Sequence, residues 1–145
     1  MPMTNHDRHM LSTFRGAPIM TPTAGTLIAV LDAFLLTGYG HITAQSVVIA
    51  GGICTATVNA GENFEVSSVI QISGATPAGL NGVARVSANA ATAVSWPTDL
   101  PDGPVTGTVG IRYAPVPGWE KAFSKTNVAV YRSTHAESTG MYLRV

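Results

Sequence analysis

The chain has 145 residues, of which 46% are apolar and only 11% are charged, and its eight basic and eight acidic side chains give a formal net charge of zero at pH 7. This charge balance excludes the electrostatic footprint of a nucleic-acid-binding protein and the polybasic patch that attaches a protein to a membrane surface. A surface with so few charges favours association, and we therefore expect other subunits to cover part of it, in the first place copies of this chain.

Residues 1–26 are predicted to form an extended arm. The segment has no clean hydrophobic period, and five chain breakers interrupt it. They are Pro2, Gly16, Pro18, Pro22 and Gly25. The arm also carries large apolar side chains, Phe14 among them, that are costly to leave in water. We therefore expect it to lie along its own domain or along a neighbouring subunit.

Residues 27–36 carry the only convincing helical pattern of the sequence. Thr26 is the predicted N-cap, and Gly38 or Gly40 can adopt the left-handed conformation that ends a helix. Apolar side chains occupy one face and extend round most of the circumference. Because a helix of this kind is buried on several sides, we expect it to pack between the sheet and either the arm or another subunit.

From residue 46 onward the hydrophobic period changes to two, which predicts β-strands. The strands are predicted over residues 47–49, 53–58, 64–73, 83–88, 93–96, 105–113, 127–133 and 141–145. Short strands at spacings of about 8–12 residues favour a small antiparallel β-sandwich or barrel. We therefore predict a mainly β fold in which residues 27–145 form a single β-rich domain with one helix. The last strand either completes a sheet, in this subunit or the next, or leads into further chain.

Two glycine-rich turns organise the predicted strands. Gly51 and Gly52 form the turn of the first hairpin, and residues 74–82 connect the strands of the central one. In this second turn Pro77 fixes φ near −65°, while Asn81 and the glycines tolerate positive φ. No helical pattern and no Lys-Ser or Lys-Thr pair follows the turn, so it does not predict a phosphate-binding loop.

The sequence offers no convincing catalytic or metal-binding pattern. His6 and His9 with Asp7 resemble a metal cluster, but no third and fourth ligand follows at a fixed spacing, and we assign no metal and no cofactor. No Gly-x-Ser-x-Gly nucleophile motif is present, and we predict that the chain is not an enzyme. Cys54 is the single cysteine and is predicted to act as a small buried hydrophobic residue.

Aromatic side chains provide an alternative, recognition of a glycan. Five aromatic residues at strand ends are candidates for a sugar-binding face. They are Trp96, Tyr113, Trp119, Tyr131 and Tyr142. Aromatic residues in such positions more often form core edges or anchors of protein interfaces, so we rank sugar binding second.

Several segments together resemble virion structural proteins of tailed bacteriophages. They are residues 23–40, the hairpin turn with Ile72-Ser73-Gly74-Ala75-Thr76-Pro77 and Asn81-Gly82, the run Gly118-Trp119-Glu120-Lys121-Ala122-Phe123-Ser124, and residues 129–133 and 142–145. The resemblance implies a β-rich particle protein of the tail, baseplate or head that assembles in the bacterial cytoplasm and becomes part of the virion. The resemblance also implies that related sequences continue beyond Leu143-Arg144-Val145, and we therefore expect this chain to be shorter than its relatives.

This resemblance implies assembly with copies of the chain and with other virion proteins. Large apolar and aromatic groups dominate protein interfaces, and we predict seven such residues as interface anchors. They are Phe14, Leu27, Leu31, Phe34, Leu35, Trp119 and Phe123. Two alternatives are kept: a receptor- or glycan-binding module of the phage tail, and, least favoured, a hydrolase that degrades the cell envelope.

Overall fold

The computed structural model describes residues 9–145, in which helical elements precede a chain of strands. The helical elements are α1 (Thr26–Asp32), a π-helical segment directly after it (Ala33–Thr37) and one 3-10 turn (Ala78–Leu80). The strands are β1 (Tyr39–Thr43), β2 (Ser46–Ala50), β3 (Ile53–Thr57), β4 (Val69–Ser73), β5 (Gly82–Arg85), β6 (Ala88–Ala90), β7 (Ala93–Pro97), β8 (Gly103–Val105), β9 (Gly110–Tyr113), β10 (Trp119–Lys125), β11 (Val128–Ser133) and β12 (Tyr142–Arg144).

These strands form three antiparallel sheets, and the predicted mainly β class is confirmed. The first sheet has the order β1-β9-β4-β5, the second β6-β7-β3-β2-β8, and the third β10-β11-β12. The chain passes from the first sheet to the second between consecutive strands at two places. Strand β1 pairs with β9 in the first sheet and the next strand, β2, pairs with β8 in the second. Likewise, β5 pairs with β4 in the first sheet and the next strand, β6, pairs with β7 in the second. The first two sheets therefore enclose one core, and we call them the sandwich.

The core of the sandwich follows from the alternation of side chains along its strands. Ile70 and Ile111 from the first sheet are fully buried, and so are Cys54 and Trp96, which lie opposite each other in the second sheet. Apolar side chains buried this completely contribute about 1.5–3 kcal/mol each. The sandwich is therefore the main source of the protein's stability.

The hydrophobic period misplaced several strand boundaries. The predicted strand over residues 64–73 begins only at Val69, because a turn in which Ser68 Oγ donates to the Glu65 carbonyl at 2.6 Å precedes it. The period predicts neither β1 nor β10, since a glycine interrupts the alternation in β1 and charged residues interrupt it in β10. Two further predicted strands are each divided where the chain passes from one sheet to the other: residues 83–88 and 105–113.

The central turn lies where it was predicted, between β4 and β5. Gly74 has a φ of 73°, and a Cβ added there would lie 2.2 Å from the Thr108 carbonyl oxygen, so only glycine fits. Asn81 contributes through its side chain instead of a positive φ, since its φ is −69°. Its amide accepts a hydrogen bond from the Ala75 N–H at 2.8 Å and donates one to the Ala75 carbonyl at 3.1 Å, which closes the turn.

The helix departs from the prediction at its start and in its burial. Its N-cap is Gly25, and the predicted N-cap Thr26 is wrong: Thr26 is the first helical residue, and its hydroxyl donates to the Thr21 carbonyl at 2.8 Å. Gly38, with a φ of 70°, ends the helical run as predicted. No residue of α1 or of the π-helical segment is buried, so the expected burial on several sides is not found within this chain. None of the helices in residues 9–145 is long and apolar enough to cross a membrane.

The described part of the arm contacts its own domain. Residues 9–25 contain no helix or strand, while residues 1–8 of the predicted arm lie outside the described residues. Phe14 is buried and its ring stacks on Tyr113 with centroids 5.0 Å apart. Arg15 follows, and its guanidinium donates to the Gly40 carbonyl at 2.9 Å. The arm was expected to lie along its own domain or along a neighbouring subunit, and residues 14–15 lie along their own domain.

Candidate interaction surface

Outside the sandwich, the helix and the third sheet pack against each other, and we call this unit (α1, the π-helical segment and β10 to β12) the helix–sheet module. Asp32 joins its two parts. One carboxylate oxygen accepts a hydrogen bond from Lys121 Nζ at 2.7 Å, and the other accepts one from the Tyr131 hydroxyl at 2.6 Å. Burial, and secondly the neighbouring Asp32, raise the pKa of Tyr131, so this hydroxyl keeps its proton and remains a donor.

The two contacts of Asp32 differ in strength. The Lys121 and Asp32 side chains remain 26% and 31% exposed, and an ion pair in contact with water contributes only about 0–1 kcal/mol. Tyr131 is fully buried, and a hydrogen bond to a charged acceptor contributes about 1.5–3 kcal/mol. The tyrosine therefore contributes more than the lysine to holding the helix on the sheet.

Phe34 connects the module to the sandwich. Its carbonyl accepts a hydrogen bond from the Val116 N–H at 2.7 Å, just before the chain enters the third sheet. Its ring lies 5.4 Å from the ring of Tyr39, and it packs against the buried core. The module is thus fixed on the sandwich through a side chain that was predicted to contact another subunit.

The structure divides the seven predicted anchors into three groups. Phe14 and Phe34 contact the core of their own chain. Leu31, Leu35 and Trp119 are half-buried. Leu27 and Phe123 remain 40% and 55% exposed. The last two are the anchors best placed for a partner, and the assignment of all seven as interface residues remains a prediction.

Three further exposed residues were missed as anchors although their strand was predicted. Met141, Tyr142 and Leu143 are 76%, 59% and 42% exposed. Strand β12, which contains the last two, pairs with β11 of the same chain, so the predicted strand completes a sheet in this subunit. Sequence alternation identifies a strand, but it does not show that the strand lies at the edge of a small sheet, where apolar side chains stay in water.

The other candidate residues are also placed. His6 and Asp7 lie outside the described residues, and within residues 9–145 no group of three or more His, Cys, Asp or Glu side chains gathers at a possible metal site. Cys54 is buried as predicted, and its burial raises its pKa to about 11. Of the five aromatic residues considered for a sugar-binding face, three are buried: Trp96, Tyr113 and Tyr131. That interpretation is wrong for these three, since a sugar cannot reach them.

Comparisons of the chain with protein-family models, with curated proteins and with solved structures returned no match. A function for this chain is therefore inferred from its residues and its geometry. Two features of the helix–sheet module carry this inference. One is its set of exposed apolar side chains, and the other is a groove on the face of its sheet that is turned away from the helix.

Proposed function

We propose that the chain is a structural component of a tailed-bacteriophage virion and that it acts through contacts between subunits. The exposed apolar side chains of the helix–sheet module carry this proposal. Leu27 on α1, Phe123 on β10 and Leu143 on β12 are each 40% exposed or more, and Met141 directly precedes β12. The low charge of the chain and its resemblance to virion structural proteins support the same function.

The energetics favour many weak contacts over one strong contact. Burying a fully exposed Leu, Phe or Met side chain contributes about 1.5–3 kcal/mol. Leu27, Phe123 and Leu143 are already about half buried, so each of these three gains about 1 kcal/mol on association. Association costs at least about 4 kcal/mol in lost translational and rotational freedom. A single contact between two modules is therefore weak. In a ring or lattice each subunit is held at several such contacts, and together they hold it more tightly than one contact does.

The edges of the third sheet add a second source of contact. Within residues 9–145, β10 and β12 each pair on one side only, with β11. Unpaired backbone groups of an edge strand offer a template for a strand from another subunit. The edge at β10 is less suited to this than the edge at β12, because β10 contains an irregularity in its register and two lysines.

Light scattering coupled to size-exclusion chromatography tests the proposal, over about a hundredfold range of protein concentration. We expect the mass to rise with concentration towards a closed oligomer, which electron microscopy would then image. Phe123→Ser is expected to shift this rise to higher concentration. The control is Val83→Ser, which removes a smaller apolar side chain, also exposed (43%), from β5 of the sandwich and should leave the mass as it is in wild type. A monomer at every concentration would contradict the proposal.

A further inference from the structure

A groove of about 460 Å³ lies on the outer face of the third sheet, the face turned away from the helix. Glu120, Arg132 and Tyr142 occupy neighbouring positions on the three strands of the sheet and form its floor. The loop between β11 and β12, residues 134–141, forms its wall. Grooves of this size are typical of small-molecule sites.

The floor of the groove carries two opposite charges that pair with each other. The Arg132 guanidinium donates to the Glu120 carboxylate and also contacts the Tyr142 hydroxyl. The two opposite charges cancel, while the guanidinium keeps further N–H donors and the carboxylate keeps further acceptor positions. Because Tyr142 is 59% exposed, it offers a ring face beside these polar groups.

The wall of the groove is held by its own hydrogen bonds. The Thr134 N–H donates to the Gly118 carbonyl at 2.8 Å, and the Ser138 N–H donates to the His135 carbonyl at 3.0 Å. The Glu137 N–H donates to His135 Nδ1 at 3.2 Å, which holds the imidazole in this wall.

Two serine hydroxyl groups also line the groove. Ser133 Oγ accepts the His135 N–H at 3.2 Å, and Ser138 Oγ accepts the Gly140 N–H at 3.2 Å. Because each oxygen is used as an acceptor by the loop, its own proton remains available as a donor. The groove therefore presents both donors and acceptors, fixed by backbone contacts, beside one exposed aromatic ring.

We propose that this groove binds a neutral saccharide, whose C–H face stacks on Tyr142 while its hydroxyls bind Arg132, Glu120 and the serine hydroxyls. Saccharide hydroxyls both donate and accept, which matches the mixed set of groups. The paired charges of Arg132 and Glu120 disfavour an anion, and the few apolar groups disfavour an apolar peptide. The inference goes beyond subunit assembly and does not rest on it.

Nitrogen–proton correlation spectra of the full chain test the proposal. The probes are methyl glycosides of glucose, galactose, mannose and N-acetylglucosamine and their disaccharides. Each probe is added to about 50 mM, because an open groove binds weakly. We expect at least one probe to shift amides confined to residues 118–120 and 132–142. Tyr142→Ala should weaken that binding about tenfold or more, and Arg132→Gln about fivefold, whereas Tyr142→Phe, which keeps the ring, should stay within about threefold of wild type.

Phe123→Ala is the matched control, because Phe123 is an exposed aromatic residue on the same sheet outside the groove. It should bind the saccharide as wild type does, even where it reduces assembly. The proposal is overturned if no probe shifts the groove amides, if Phe123→Ala weakens binding as much as Tyr142→Ala, or if inorganic phosphate shifts these amides while the neutral probes do not.

Discussion

The sandwich and the helix–sheet module bury their side chains to different extents. In the sandwich, consecutive strands cross between two sheets, and the largest side chains are almost completely removed from water. In the module, a three-stranded sheet carries a helix without one buried residue, and Ala129 and Tyr131 are the buried residues of its strands. The difference indicates that the sandwich supplies most of the stability, and our proposal assigns the subunit contacts to the module.

The largest effect is expected from a truncation in the sandwich. Ile70→Ala removes a fully buried side chain from β4 and should lower the free energy of unfolding by about 2–5 kcal/mol, because a cavity adds to the lost burial. Leu143→Ala, the matched truncation in the module, should cost less than about 1 kcal/mol. Urea denaturation followed by circular dichroism measures both, and equal losses would remove the distinction between the two regions.

A smaller and more local effect is expected at Asp32. Asp32→Ala removes the carboxylate that accepts from Lys121 and from the buried Tyr131 hydroxyl, which keeps only the longer contact with the Ile28 carbonyl at 3.4 Å. This loss should cost about 2–3 kcal/mol. Hydrogen exchange should show faster exchange in β10 and β11 and unchanged exchange in β3 and β7. Tyr131→Phe removes the hydroxyl but keeps the ion pair between Lys121 and Asp32, and it is the milder control at about 1.5 kcal/mol. Faster exchange throughout the sandwich would show that the two regions unfold together.

Raising the pH should destabilise the sandwich through ionisation of the Cys54 thiol. Burial raises its pKa from 9.0 to about 11, so the folded state keeps a proton that the unfolded state loses. The stabilisation from this group is therefore complete below pH 9 and is lost as the pH rises to about 11. The expected slope is about 1.4 kcal/mol per pH unit in that window.

Cys54→Ala isolates this contribution, because alanine does not titrate. Denaturation at a series of pH values should give a shallower loss of stability for this variant than for wild type between pH 9 and 11. Equal slopes for the two proteins would mean that the thiol ionises in the folded state as readily as in the unfolded chain.

Local features of the fold were predictable from the sequence, whereas contacts between distant segments were not. The turns at Gly51 and Gly52 and at Gly74 follow from residues that adopt positive φ, and all three glycines do so. The contacts of Asp32 with Lys121 and Tyr131 join residues 89 and 99 positions apart, and no periodicity encodes them.

Part of the candidate surface could also be predicted from the sequence. The large apolar residues of α1 and β10 are evident in the sequence, so Leu27 and Phe123 could be predicted as anchors, and both are exposed. Phe14 has the same character, yet it lies in the core, because a stacking partner, Tyr113, comes from a strand far along the chain. The groove was missed because its floor and wall come together only when β12 pairs with β11.

The most direct test of the division between the regions is hydrogen exchange measured below and above the concentration at which the protein associates. Slower exchange on association is expected in residues 26–37, 119–125 and 142–144, with the strands of the sandwich unchanged. Slower exchange confined to sandwich strands such as β2 and β3 would contradict the account, because it would place the subunit contact on the region assigned to stability alone.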